Sequence, residues 1–189
     1  MENKNSLLVE SIKAGLIIGA VGIVVFLIEY VADIKPVGFV KPILIGLISL
    51  AISIILLVIF LKKFRNGLGG FISFKDAFLF GLIAFVVAGI VSSLFSFLFM
   101  QFFDPGYLKS IMEAQKDWME SYLSGKMSDD QIQEQLNKID KQMNISAFRQ
   151  MLTGLVGTLI FGAIISLIVG AIMKKNPDVF DDKTSGGVI

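Results

Sequence analysis

Apolar and polar residues fall along this chain in long blocks rather than short periods. Ala14 to Ile28 is an unbroken run of apolar residues and glycine. Pro42 to Leu61 (PILIGLISLAISIILLVIFL) carries no charge and stops at Lys62-Lys63-Phe64-Arg65. A third run reaches from Phe74 to Phe103, charged only at its start by Lys75 and Asp76, and a fourth from Met151 to Met173. About 20 apolar residues in a helix cross a hydrocarbon core of ~30 Å. Each Ile, Leu, Val or Phe favours insertion by roughly 0.3–0.6 kcal/mol, so residues 42–61 sum to on the order of −5 kcal/mol. The pattern predicts membrane spans at about 14–32, 42–61, 74–103 and 151–173. The first could instead be the apolar core of a signal peptide, but Glu2 and Glu10 dilute its positive flank and the run is long for that role.

Between the third and fourth runs the period changes. At about 100° per residue, Tyr107, Leu108, Ile111, Met112, Trp118, Met119, Tyr122 and Leu123 share one side of a helix, with Lys109, Glu113, Lys116, Asp117 and Glu120 opposite. Ile132, Leu136, Ile139 and Met143 then form a narrow seam. The connections carry their own signals. Asp33–Gly38 is a tight turn with Pro36, and Gly67-Leu68-Gly69-Gly70 is another. Ser73 with Asp76 and Ser128 with Gln131 are capping boxes, and Asp104-Pro105 reads as N-cap and first helical residue. Asn144-Ile145-Ser146 opens the fourth span.

The expected fold is therefore all-α: a single membrane domain over residues 1–175, with four spans in two hairpins. A two-helix insertion at 104–147 separates spans 3 and 4, and residues 176–189 form a disordered cytoplasmic tail. The insertion is read as closing on itself. The alternatives are that it lies on the outer leaflet with Tyr107, Trp118 and Tyr122 at headgroup level, or docks a periplasmic partner.

Composition narrows the chemistry. The chain is 54% hydrophobic with mean hydropathy +0.77, and its net charge of +1 points to no nucleic-acid partner. It has no Cys and no His, which removes thiol and imidazole catalysis and the usual zinc sites. We expect no catalytic residue, no cofactor and no metal. Glu29 reads as an interfacial acid beside Tyr30, and Asp76 as a cap. No charge occupies the middle of spans 2–4, which argues against a proton or ion path in one copy. The glycines at 67–70 are not followed by the lysine and hydroxyl of a phosphate loop.

Lysine and arginine set the expected orientation. Four of them fall within residues 62–76 and three more are Lys174, Lys175 and Lys183, whereas residues 104–150 hold six against eight acids. Both termini are placed in the cytoplasm and residues 104–150 on the opposite, periplasmic side.

Small residues recur every fourth position in span 4, at Gly154, Thr158, Gly162, Ser166 and Gly170, and in span 3, at Ala84, Ala88, Ser92 and Ser96. Ala77 and Gly81 precede the latter, and span 1 adds Gly15 and Gly19. Such ladders let helix backbones approach closely in lipid, where packing rather than hydrophobicity drives association. The facing helix could belong to this chain or to a second copy.

The stretch Gly69-Gly70-Phe71-Ile72-Ser73-Phe74-Lys75-Asp76-Ala77-Phe78, then Phe103-Asp104-Pro105-Gly106-Tyr107-Leu108, Gly125 to Gln131 and the small-residue span ending Ala171-Ile172-Met173-Lys174-Lys175 resemble the domain-of-unknown-function family numbered 4199. That resemblance implies a small four-span inner-membrane protein of Bacteroidetes-group bacteria and no assigned activity. The functional expectation is a non-enzymatic membrane component in the lipid bilayer, acting through helix association as a homo-oligomer or with an envelope protein. The rival is an oligomeric transporter or channel for a neutral or apolar solute. An intramembrane enzyme is least favoured, because Asp, Glu, Ser and Lys nowhere cluster. Reporter fusions at Gly67 and Lys126 should land on opposite sides of the membrane; activity of both on one side would end the four-span topology.

Overall fold

The computed structural model describes residues 2–143 and 145–175. The expected tail at 176–189 lies outside the described residues. Six α-helices follow in order: α1 (Glu2–Val31), α2 (Val40–Gly67), α3 (Phe74–Leu98), α4 (Tyr107–Leu123), α5 (Asp129–Met143) and α6 (Ala147–Met173), with a π-helical turn at Phe99–Phe103 continuing α3. The described residues form no named strand; Ile72 and Lys175 make one isolated antiparallel bridge. Four helices are long and apolar enough to cross a bilayer: Ser6–Val31, Val40–Gly67, Phe74–Phe103 and Ala147–Met173. The protein is an all-α, multi-pass membrane protein.

Element ends follow local chemistry. Ser73 caps α3: its Oγ accepts from the Asp76 backbone N at 3.1 Å and donates to Asp76 Oδ2 at 2.7 Å. The Ser146 side chain likewise accepts from Arg149 N at the start of α6. Gly69 and Gly70 take φ of +82° and +90°, and the Gly70 N–H closes back onto Arg65 O at 3.0 Å to end α2.

Two expected boundaries move. α1 is helical from Glu2, upstream of its apolar run; Leu7 packs against the core and the buried Ser11 hydroxyl bonds Leu7 O at 2.8 Å. α4 begins at Tyr107 rather than Pro105. The π turn still holds Asp104 N on Phe99 O at 2.9 Å, so Asp104 closes a turn instead, its Oδ1 accepting from Gly106 N at 3.1 Å.

α3 is the central helix, flanked by α1 and α6. Beside α1 it runs parallel: Gly15 meets Ala84 and Val87, Gly19 meets Ala88 and Val91, and Phe26 meets Phe95 and Phe99. Beside α6 it runs antiparallel: Phe78 meets Gly170, Gly81 meets Ser166, Phe85 meets Gly162 and Gly89 meets Thr158. α2 packs mainly on α1, and its remaining contacts to α3 and α6 lie at one end. There Leu57, Leu61 and Phe64 join Ala14, Phe80, Val169 and Met173 in the core. The Phe64 and Phe80 rings stack at 5.2 Å, and Arg65 Nη1 donates to Met173 O at 3.3 Å, satisfying a carbonyl at the end of α6. On its outer side Ile43, Leu44, Leu47, Ile48, Ile55 and Ile59 are exposed.

Three hydroxyls within the spans close on their own backbones: Ser166 donates to Gly162 O at 2.6 Å, Thr158 to Gly154 O at 3.0 Å and Ser53 to Ser49 O at 2.9 Å. A Cβ on Gly162 would lie 2.5 Å from Phe85 Cβ, whereas one on Gly157 meets nothing within 4 Å. Gly162→Ala should destabilise the bundle by about 1–3 kcal/mol. Gly157→Ala should be neutral or gain up to about 1 kcal/mol. Unfolding midpoints in detergent check both.

Candidate functional site

The small-residue positions separate into two contacts. Of the α6 ladder, Gly162, Ser166 and Gly170 are buried against α3, Thr158 is half-buried beside Gly89, and Gly154 is exposed, 4.0 Å from Ser93 Oγ. The α3 ladder does not face it. Ala84 and Ala88 are buried under Gly15 and Gly19 of α1, and Ser92 Oγ lies 3.5 Å from the Cβ position of Gly22. Ser96 instead lines a cleft of about 250 Å³ between α3 and α6, with Ser93, Gln150 and Thr158. The α3 residues opposite the α6 ladder are Gly81, Phe85, Gly89 and Ser93, a row at the same four-residue spacing but offset by about 100° around the helix from Ala84, Ala88, Ser92 and Ser96. Phe85 in that row hides it from a search for small residues alone. These residues are structural cement, and they present no reactive group.

The insertion is pinned as well as closed. Ile132, Leu136 and Ile139 of α5 are buried, and Lys116 of α4 bonds Asp140 Oδ1 at 2.7 Å. α4 then sits on the α1–α2 turn. Gly38 N donates to Gln115 Oε1 at 2.7 Å, and Phe39 packs edge-on to Trp118 at 4.9 Å. Gly38 has φ +85°, and a side chain there would run into the Trp118 indole at 3.1 Å. Trp118 and Tyr122 stack at 4.9 Å, and Lys126 Nζ lies 3.5 Å over the Tyr122 ring.

Where α1 ends, α4 begins and the π turn meets them, aromatic rings form a cluster. Tyr30 lies 4.9 Å from Phe99 and 5.3 Å from Tyr107, and Phe26 lies 5.1 Å from Phe99. Over this floor opens a polar cleft of about 380 Å³, lined by Glu29, Tyr30, Asp33, Lys35, Asp104 and Tyr107 among others. Tyr30 donates its hydroxyl to Asp104 Oδ2 at 3.1 Å, and Lys35 Nζ stands 3.3 Å from Asp33 Oδ1. Asp33 takes φ +51°, a left-handed conformation that aspartate tolerates. Tyr107 is 9% exposed as a residue, and among the described residues the buried side-chain polar atoms without a hydrogen-bond partner are Arg65 Nε and Gln150 Oε1, neither of them in this cleft. Glu29 stood out in the sequence as the acid that ends the first apolar run. The cleft did not, because its walls come from three segments far apart in sequence.

Burial pushes the Tyr107 phenol above its ordinary value, and the nearby Glu29, Tyr30, Asp104 and Asp33 add to the shift. No three carboxylates among the described residues lie close enough to hold a metal ion.

The profile of a family described as a protein of unknown function (DUF4199) matches residues 13–175, most of the chain, and the protein belongs to that family. No curated protein and no solved structure matches it.

A phenol raised in the fold stabilises the protein fully below its unfolded pKa of about 10. That contribution is lost as pH rises through the folded value. The unfolding midpoint should therefore fall above about pH 10, and the fall should be shallower in Tyr107→Phe. Equal slopes would remove the buried phenol from that account.

Proposed function

We propose that this DUF4199-family protein is a non-enzymatic component of the bacterial inner membrane that presents its α4–α5 hairpin to an envelope partner. The observation that carries the reading is the attachment of that hairpin. The α5 seam is buried at Ile132, Leu136 and Ile139, and Gln115 and Trp118 lock the hairpin onto the α1–α2 turn, so it stands as a fixed platform over the bundle. A helix pair lying on the leaflet would need its apolar stripes free for lipid. Here Ile132, Leu136 and Ile139 are buried and Trp118 is engaged by Phe39 and Tyr122.

Orientation follows the charge. The bridge between Ile72 and Lys175 brings the two basic connections together, so Lys62, Lys63, Arg65, Lys75, Lys174 and Lys175 gather at one end of the bundle. The positive-inside bias supports putting that end, and both termini, in the cytoplasm. The acid-rich hairpin then faces the periplasm. Because the small-residue ladders are occupied within the chain, association with a partner or a second copy falls to the hairpin.

A photo-cross-linking residue at Glu134, exposed on α5, should give a discrete protein adduct in cells, and one at the lipid-facing Ile48 should give none. No adduct at Glu134, together with flux of a neutral solute by the protein alone in liposomes, would favour the transporter instead.

A further inference from the structure

We propose that the cleft between the end of α3 and the first half of α6 binds the hydroxyl head of a neutral lipid. The site stands apart from the α4–α5 hairpin and does not rest on reading that hairpin as a docking platform.

The seam between α3 and α6 is tight along most of its length and then opens. A Cβ placed on Gly162 would lie 2.5 Å from Phe85 Cβ, and one on Gly89 would lie 3.0 Å from Thr158 Cγ2. At Gly154 the nearest neighbour is Ser93 Oγ, at 4.0 Å. The helices part here, and the gap is the cleft of about 250 Å³. Its lining mixes the hydroxyls of Ser93 and Ser96 and the amide of Gln150 with the apolar Phe97, Met100 and Met151.

Gln150 is the independent sign of a missing partner. Its Oε1 is buried, and no group among the described residues donates to it. Buried polar atoms ordinarily have a partner, and an unpaired amide oxygen within a membrane span is costly. The other such atom, Arg65 Nε, lies at the opposite end of the bundle, on a guanidinium that already donates through Nη1 to Met173 O. The terminal amide torsion of glutamine is broad, so a modest turn presents the Gln150 oxygen to a group seated in the cleft.

The lining chooses the chemistry of that group. An amide oxygen calls for a donor. None of the described residues that line the cleft is ionisable, so a charged head would give up its hydration there without compensation. A hydroxyl is neutral, donates to Gln150 and accepts from the serines. Location chooses its source. Both walls belong to membrane spans, and Gly154 on the rim is exposed, so the cleft opens to the bilayer. From Gln150, in the first turn of α6, to Thr158 the lining descends about 12 Å along the helix. A volume of about 250 Å³ lies just below that of sites enclosing a whole small ligand. It admits a head and leaves the acyl chain in the bilayer.

The test reconstitutes the full chain in nanodiscs of dimyristoyl phosphatidylcholine, a lipid without a hydroxyl. A monoacylglycerol carrying a diazirine beside its head is photolysed there at increasing mole fraction, and adducts are mapped by peptide mass. Labelling should saturate and concentrate at residues 92–100 and 147–158. Monomyristin should compete, and methyl myristate, which accepts but cannot donate, should not. Gln150→Met keeps the volume and removes the amide. It should raise the half-saturating mole fraction roughly fivefold, the size of one lost neutral hydrogen bond. In the absence of probe the same change should raise the unfolding midpoint, because an unpaired buried oxygen is gone, a gain that misfolding cannot imitate. Equal competition by methyl myristate or by free glycerol, adducts spread evenly over the four spans, an unchanged half-saturation in Gln150→Met, or a lowered midpoint in that variant would each overturn the proposal.

Discussion

In lipid, two apolar helix faces gain little by meeting each other rather than acyl chains, so the bundle depends on how closely backbones can approach. α3 provides that approach on two sides. Gly15 and Gly19 of α1 admit Ala84 and Ala88, and Gly81 and Gly89 admit Ser166 and Thr158 of α6. Phe85 fills the space that Gly162 leaves. Ser166 and Thr158, where α6 approaches most closely, bond their own helix, so neither hydroxyl is stranded there. α2 has no such seam. It is held chiefly where Leu57, Leu61 and Phe64 reach the common core, and its outer surface is left to lipid.

The two ends of the bundle are consequently different environments. At one, short glycine turns and the Ile72–Lys175 bridge bind the ends of α2, α3 and α6 among lysines. At the other, the π turn prolongs α3 into a cluster of aromatic rings from α1, α3 and α4, and a carboxylate-lined cleft opens above it. Tyr30 ties the floor to Asp104, and Gln115 ties α4 to the α1–α2 turn. A platform and a polar cleft beneath it are thus built from one set of connections.

Much of this was written in local order. Continuous apolar runs announced four spans because lipid imposes its length requirement on each segment separately. Ser73 and Ser146 announced helix starts because a cap acts within three residues. Asp104-Pro105 misled by two residues, since a π turn upstream kept the Asp104 N–H engaged and postponed α4. α1 also extends upstream of its apolar run, where Leu7 packs against the core and Ser11 bonds Leu7 O.

The sequence by itself determined that the protein lies in a membrane, how many times its helices can cross, and which connections carry the positive charge, because hydropathy and charge act residue by residue. Only the tertiary structure decided which small residues meet, since α3 carries two four-residue rows about 100° apart and packing chooses which one faces α6. It also decided that Glu29, Asp104 and Tyr107 share one cleft. Convergence of groups so far apart along the chain follows from how α1, α3 and α4 pack, which no local pattern encodes.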